Sequence, residues 1–291
     1  MPVDEEALNR LRIEPSTTAM PGTPRGVTVT RNRSHTVAVA IAFTVSLLPC
    51  VIIAHAQVTV AEAADYENRI EFSFLSEDMK ALRALAHSLT ELAAGDESGR
   101  LEHYLAAHAD YRLAQVLNES QTSAAEDAAK ACVEELATLM HKDSKDVEAL
   151  SQEAACHALL AATSVIRSVT HGPAAGDAIA MALSLAPKNP RAHLVDALVD
   201  YWRPAKLGGD PQRAFAKFKR AAEAFEAMPP GATEFPSWGG ADVYYWLGRC
   251  YANRGDIAAA RNAFEQALIV APDYAAARRQ LTRLSSQTTP H

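Results

Sequence analysis

Ten histidines, four cysteines and a few glycine-rich turns are the residues of this 291-residue chain best equipped for chemistry, and their spacing decides what they can do. His103 and His108, in HYLAAH, are five apart, which on a helix turns them to different faces and rules out a chelating pair. Cys156 and His157 are adjacent and diverge for the same reason. The sequence contains no HExxH, no paired CxxC and no carboxylate–histidine cluster at ligand spacing, so the usual zinc arrangements are missing. LGGDP and SWGG lack the lysine and following Ser/Thr of a phosphate-cradling loop, and no serine nucleophile elbow occurs. On these grounds the chain reads as non-catalytic, with no metal and no cofactor.

The cysteines offer a different chemistry. Cys132 and Cys156 lie 12 residues before and 12 after Ser144, where a turn between two helices would set them at similar heights. If their Cβ vectors face, a disulfide between them stabilises the fold by about 3 kcal/mol in the chain-entropy model. The same spacing also suits two small buried residues in a packed interface. Cys250 falls on the helix that packs inside its repeat and reads as core.

The elements that position these residues are helical, since no strand-like alternation occurs between 75 and 285. In YWLGRCYANRGDIAAARNAFEQALIVAP, residues 245–272, and the residue before it, Tyr244, Leu247, Gly248 and Tyr251 recur at i, i+3, i+4 and i+7 and share one stripe. Gly255 ends that helix, Asp256 suits the cap of the next, and Ala260, Phe264, Ala267 and Leu268 form a second stripe that Pro272 closes. Small residues let the two backbones approach while Tyr251 and Phe264 fill the space between them. The stripe Ala-x3-(Phe/Ile)-x2-Ala occurs as Ala175, Ile179, Ala182, as Ala214, Phe218, Ala221 and as Ala260, Phe264, Ala267, at intervals of 39 and 46 residues. Upstream, helices are expected over 75–92, 101–117, 122–142 and 145–170, and a closing helix over 274–284.

With Ala241 as the first position, Leu247, Gly248, Tyr251, Ala260, Phe264, Ala267 and Pro272 stand where a tetratricopeptide repeat places its signature residues, and 241–274 closely resembles that family. The resemblance implies an all-α chain, a right-handed α-solenoid of about four TPR-like helical hairpins plus a C-terminal capping helix. Residues 57–150 are then a divergent helical part, 151–285 the repeats and cap, and 286–291 a disordered tail. It further implies that the first helix of each repeat lines a concave groove for a protein or peptide partner. In the clear repeat the groove positions are Asp242, Tyr245, Arg249, Ala252 and Asn253, with Tyr245 an amphipathic contact and Arg249 a carboxylate fork. The preceding repeat brings Leu194, Leu198, Tyr201 and Trp202, the first three of which also fit the buried stripe of their own helix. His193, Asp196 and Asp200 share a face and read as a solvated stripe. The Lys, Asn and Arg set with which some family members clamp an acidic chaperone tail is absent.

The N-terminus has another composition. Thr36 to Ala54 carries no charge, follows the basic TRNRSH and ends in AHAQ, the order of a secretory leader, so residues 1–56 are expected to be an extension and signal peptide cleaved after Ala56. An uncleaved anchor is the alternative, and in both cases the repeats lie outside the cytoplasm. The first 56 residues hold five basic and four acidic side chains, so the 28 basic and 35 acidic of the whole chain become 23 and 31, a net charge of −8 that excludes nucleic-acid binding by charge. The sequence thus points to an exported scaffold or adaptor of the cell envelope, in a bacterium periplasmic. Its alternatives are a solute-binding or transport accessory protein and an envelope-assembly subunit.

Overall fold

The computed structural model describes residues 57–96, 99–118, 122–229 and 235–287, among which every regular element is helical. The expected leader and cleavage site fall outside these residues, as do residues 288–291 of the expected tail. The helices are α1 (Val60–Leu75), α2 (Met79–Gly95), α3 (Arg100–Leu117), α4 (Thr122–Lys142), α5 (Val147–Thr163), α6 (Val165–Leu185), α7 (Pro190–Trp202), α8 (Pro211–Glu226), α9 (Gly240–Asn253), α10 (Ile257–Val270) and α11 (Ala275–Gln287), with a 3-10 turn at Ala205–Leu207. None of them is long and apolar enough to cross a membrane.

Successive helices pair as antiparallel hairpins from α1/α2 to α9/α10, and α11 closes the stack. The odd-numbered helices also touch one another, α1 to α3, α3 to α5 and α5 to α7, and so form the inner layer of a right-handed α-solenoid. Among the described residues there are five hairpins, one more than the sequence reading resolves. The extra one exists because Val60–Leu75 is a helix, opened by Thr59 and Glu62 in a reciprocal capping box. The stretch 145–170, read as one helix, is two. Ser164 is extended at φ −161° and its hydroxyl accepts from the Arg167 amide, which caps α6 and stops α5 one residue earlier.

The repeated stripes occupy the positions their spacing predicts. Ala175, Ile179 and Ala182 on α6, Ala214, Phe218 and Ala221 on α8, and Ala260, Phe264 and Ala267 on α10 are all buried against the first helix of their hairpin. Gly248 on α9 shows why a small residue is needed there. A Cβ at that position would stand 2.6 Å from the Phe264 ring, so the aromatic occupies the space a side chain would take. Asp210 and Asp256 cap α8 and α10 by accepting from the amides of Gln212 and Ala259.

Two polar features depart from the sequence reading. Asp200 is buried and takes Arg213 at 2.6 Å and Lys217 at 2.7 Å, and Lys217 also reaches Asp196, so this face is an ion-paired seam between α7 and α8 rather than a solvated stripe. Cys132 of α4 and Cys156 of α5 are joined as a disulfide, with Cα atoms 6.3 Å apart, which ties the second hairpin to the third. Cys250 is buried, and burial pushes its thiol up to about 11.

Candidate functional site

Helix α9 builds the site. Gly239 precedes it at φ +103°, a conformation only glycine takes without strain, and the same position is too crowded by Phe225 for a side chain. From that start Asp242, Tyr245, Trp246 and Arg249 follow at i, i+3, i+4 and i+7, one stripe on the inner face of the solenoid. The stripe borders a cavity of about 390 Å³ whose other walls come from Phe74 of α1, Gln115 of α3, Leu159 of α5, Trp202 of α7 and Arg279 of α11. Every odd-numbered helix thus contributes to one concave chamber.

Asp242 is not available to a partner. It is 4% exposed and accepts from Arg112 at 2.7 Å and from the Tyr274 hydroxyl at 3.1 Å. Arg112, on α3, is 0% exposed and its guanidinium is fully engaged. Nε and Nη2 donate to the two Glu71 oxygens at 2.6 and 2.7 Å, Nη2 also reaches Asp242, Nη1 donates to Gln115, and the plane lies 4.2 Å from the centre of the Phe74 ring. His108 adds a contact to Glu71 at 2.8 Å. Burial alone would raise the Glu71 carboxyl, but the Arg112 charge and the hydrogen bond with His108 outweigh it and hold it down at about 2. Burial likewise opposes charge on Arg112, yet Asp242 and Glu71 raise its pKa well above the ordinary value. Burial, then Asp242, pushes the Tyr274 phenol far up, so it stays a donor. The cluster is a clasp that locks α1 and α3 to the last repeat.

Tyr245 also belongs more to the wall than to the opening. Its ring is buried, 5.0 Å from Tyr274, 5.4 Å from Trp246 and 5.9 Å from Phe264. Trp246 continues the aromatic surface to Trp202 at 5.4 Å and Tyr201 at 5.0 Å. Arg249 lies over Trp246 at 5.1 Å and Tyr245 at 6.0 Å and makes no ion pair or hydrogen bond among the described residues. Arg279, by contrast, holds Glu77. Asn253 is exposed beyond the cavity and Ala252 does not line it. Of the groove residues read from sequence, Asp242, Tyr245 and Arg249 are therefore brought together, and of the two charged ones Asp242 is paired while Arg249 has no ion pair among the described residues. Trp202 is in the wall as well, whereas Trp246 and Tyr274 were not singled out. Trp246 could have been found as the next member of the Asp242–Tyr245–Arg249 stripe; nothing near Tyr274 marks it.

The histidines resolve into separate pairs. His103 contacts Glu135 at 2.7 Å, His108 contacts Glu71, and His157 faces His171 with Nδ1 atoms 3.0 Å apart. Among the described residues no group of three or more His, Cys, Asp or Glu can hold a metal ion.

These features define a helical-repeat protein with an aromatic inner chamber. Residues 241–274 match the tetratricopeptide repeat family model. Two solved structures are similar over most of their own length. TTC0263, a thermophilic TPR protein of Thermus thermophilus, is 16% identical with a TM-score of 0.51, covering 76% of this chain and 99% of its own. The HusA haemophore of Porphyromonas gingivalis is 19% identical with a TM-score of 0.54, covering 67% of this chain and 94% of its own. No curated protein matches the sequence. The chain has the fold of the tetratricopeptide-repeat proteins, and 241–274 is one of the family's repeats.

Proposed function

We propose that this chain is a non-catalytic, exported scaffold that holds a protein or peptide partner in its inner chamber, with Arg249 as the polar anchor. The fold is that of protein-interaction scaffolds. The observation that carries the site is Arg249, stacked on Trp246 at the edge of an aromatic cavity while the neighbouring Arg112 and Arg279 are neutralised by carboxylates. An arginine so placed offers a planar fork to a partner's carboxylate beside a surface for apolar groups. Affinity would rest on a few side chains because the hairpins are already packed. Export is supported by the leader-like order of residues 30–57 and by the Cys132–Cys156 bond, which persists in oxidising compartments.

The test is a crosslinked pull-down from envelope extract with the protein and its Arg249→Ala variant. A partner captured by the first and lost from the second supports the reading; equal capture places the contact elsewhere. Tyr245 is a poor probe, because truncating a buried aromatic unsettles the repeat itself.

A second reading is a small-ligand carrier, favoured by a cavity volume within the range of about 300–1,000 Å³ usual for such sites and by the fold shared with a haemophore. It predicts a melting shift with small aromatic carboxylates in the absence of any protein partner.

A further inference from the structure

Trp202 belongs to two cavities. On one side is the chamber of Arg249; on the other is a cavity of about 450 Å³ between α5, α6 and the turn after α7. Ala158 lines this second cavity from α5, Val169, Gly172, Pro173 and Gly176 from α6, and Leu207 from the turn.

The sequence creates this space by leaving side chains out. Gly172 and Gly176 are one turn apart in the interior of α6, where glycine costs about 1 kcal/mol relative to alanine. A Cβ at 172 would meet nothing within 4 Å, and one at 176 only the Arg203 guanidinium at 3.8 Å. Packing within the fold therefore does not require either glycine. Pro173 lies between them inside the helix and has no N–H to give, so the Val169 carbonyl lacks its intrahelical donor on the flank that borders the cavity.

The same flank continues outward as an apolar rail. Val165 is 74% exposed, Ile166 80% and Val169 62%. A small solute enclosed in the cavity would leave this rail in water, whereas a longer chain entering the cavity would cover it. Charge sets the direction of such a chain. Asp177 and Arg203 both border the second cavity, and Arg203 already faces Asp200 at 3.8 Å, while Arg249 on the far side of Trp202 has no carboxylate among the described residues. An acidic group thus suits the Arg249 side and an apolar one the glycine side.

We propose that the two cavities form one bipartite site for an extended segment of a partner protein, which seats a large apolar side chain between Gly172 and Gly176, crosses Trp202, and sets a carboxylate on Arg249. The inference rests on the inner chamber being the partner site.

The experiment uses a displayed library of random 12-residue peptides as the probe and three full-length baits: the protein, Gly172→Leu/Gly176→Leu, and Arg249→Ala. Leucine is a better helix former than glycine and the space for it is open, so the filled bait folds, with a helical spectrum and a melting temperature no lower than the parent's. The parent should enrich peptides carrying an aromatic or large aliphatic residue and an Asp or Glu about four residues apart, the reach of an extended chain across one indole and its two flanking cavities. The filled bait should lose the apolar preference and keep the acidic one, Arg249→Ala the reverse, and a synthetic parent-selected peptide should bind each variant at least tenfold more weakly. Unchanged selection and affinity on the filled bait would overturn the second subsite and leave the Arg249 site standing. Unchanged selection on both variants, or no enrichment by the parent, would overturn the chamber as a peptide site altogether.

Discussion

Arg112 gives the sharpest test of how the chamber is built. Its guanidinium is fully buried between Glu71 and Asp242, residues that lie 41 positions before it and 130 after it, so it joins the first hairpin to the last. Replacing it with methionine keeps the volume and the contact with Phe74 but strands two carboxylates in a site with little water. Removing one partner of a buried ion pair costs about 3–5 kcal/mol, and here a single residue serves two anions. With a urea m-value of about 3 kcal/mol/M, the Arg112→Met unfolding midpoint should fall by roughly 1–1.7 M. The neutralised triple variant, Arg112→Met with Glu71→Gln and Asp242→Asn, should recover at least half of that loss, because most of the penalty is stranded charge rather than lost attraction. Circular dichroism and tryptophan fluorescence should report one transition for the parent, since Trp202, Trp238 and Trp246 all lie near the clasp or the chamber it closes. A loss below about 1 kcal/mol for Arg112→Met, or no recovery in the triple variant, would refute the claim that this cluster locks the ends together.

Three further outcomes follow from the packing and the titrating groups. Gly248→Ala should destabilise by about 1–3 kcal/mol through overpacking against Phe264, and Phe264→Leu should rescue it in the double variant, as measured by urea unfolding. Cys132→Ser/Cys156→Ser should lower stability by about 3 kcal/mol, read by the same unfolding curves, with reductant producing the same shift in the parent and none in the variant. Asp110 is buried with Oδ2 unpartnered; desolvation, then Glu135, raises its pKa to about 7 from an ordinary 3.8, so the folded state prefers it protonated. Its contribution is present below the unfolded value and is lost as pH rises from about 4 through 7, and Asp110→Asn should therefore flatten the stability profile over that window and gain most above pH 7.

What was legible in the sequence was whatever is encoded within one hairpin. The Ala-x3-(Phe/Ile)-x2-Ala stripes name the buried face of α6, α8 and α10 because the small residues and the Phe or Ile between them are three or four positions apart on the same helix. The stripe from Asp242 to Arg249 was legible only through the resemblance of 241–274 to a tetratricopeptide repeat. The break at Ser164 was missed because apolar residues continue on both sides of it, and the only local sign is a serine that caps as readily as it sits in a helix. The clasp was not legible at all. Glu71, Arg112 and Asp242 each look like an ordinary helix-surface charge, and only the closure of the solenoid on itself turns them inward. That closure also explains why Asp242, a groove position by repeat numbering, serves the protein's own α3 instead of a partner.

The central claim is that the partner sits inside the chamber on the Arg249 side, and site-directed photocrosslinking tests it most directly. A photoreactive residue at Ala276, in the chamber wall, is compared with one at Ile269, exposed on α10, in the presence of envelope extract. A crosslinked partner from position 276, absent from 269 and abolished by Arg249→Ala, is the predicted result. Crosslinking from 269 with none from 276 would contradict the account and move the binding surface to the outer helices.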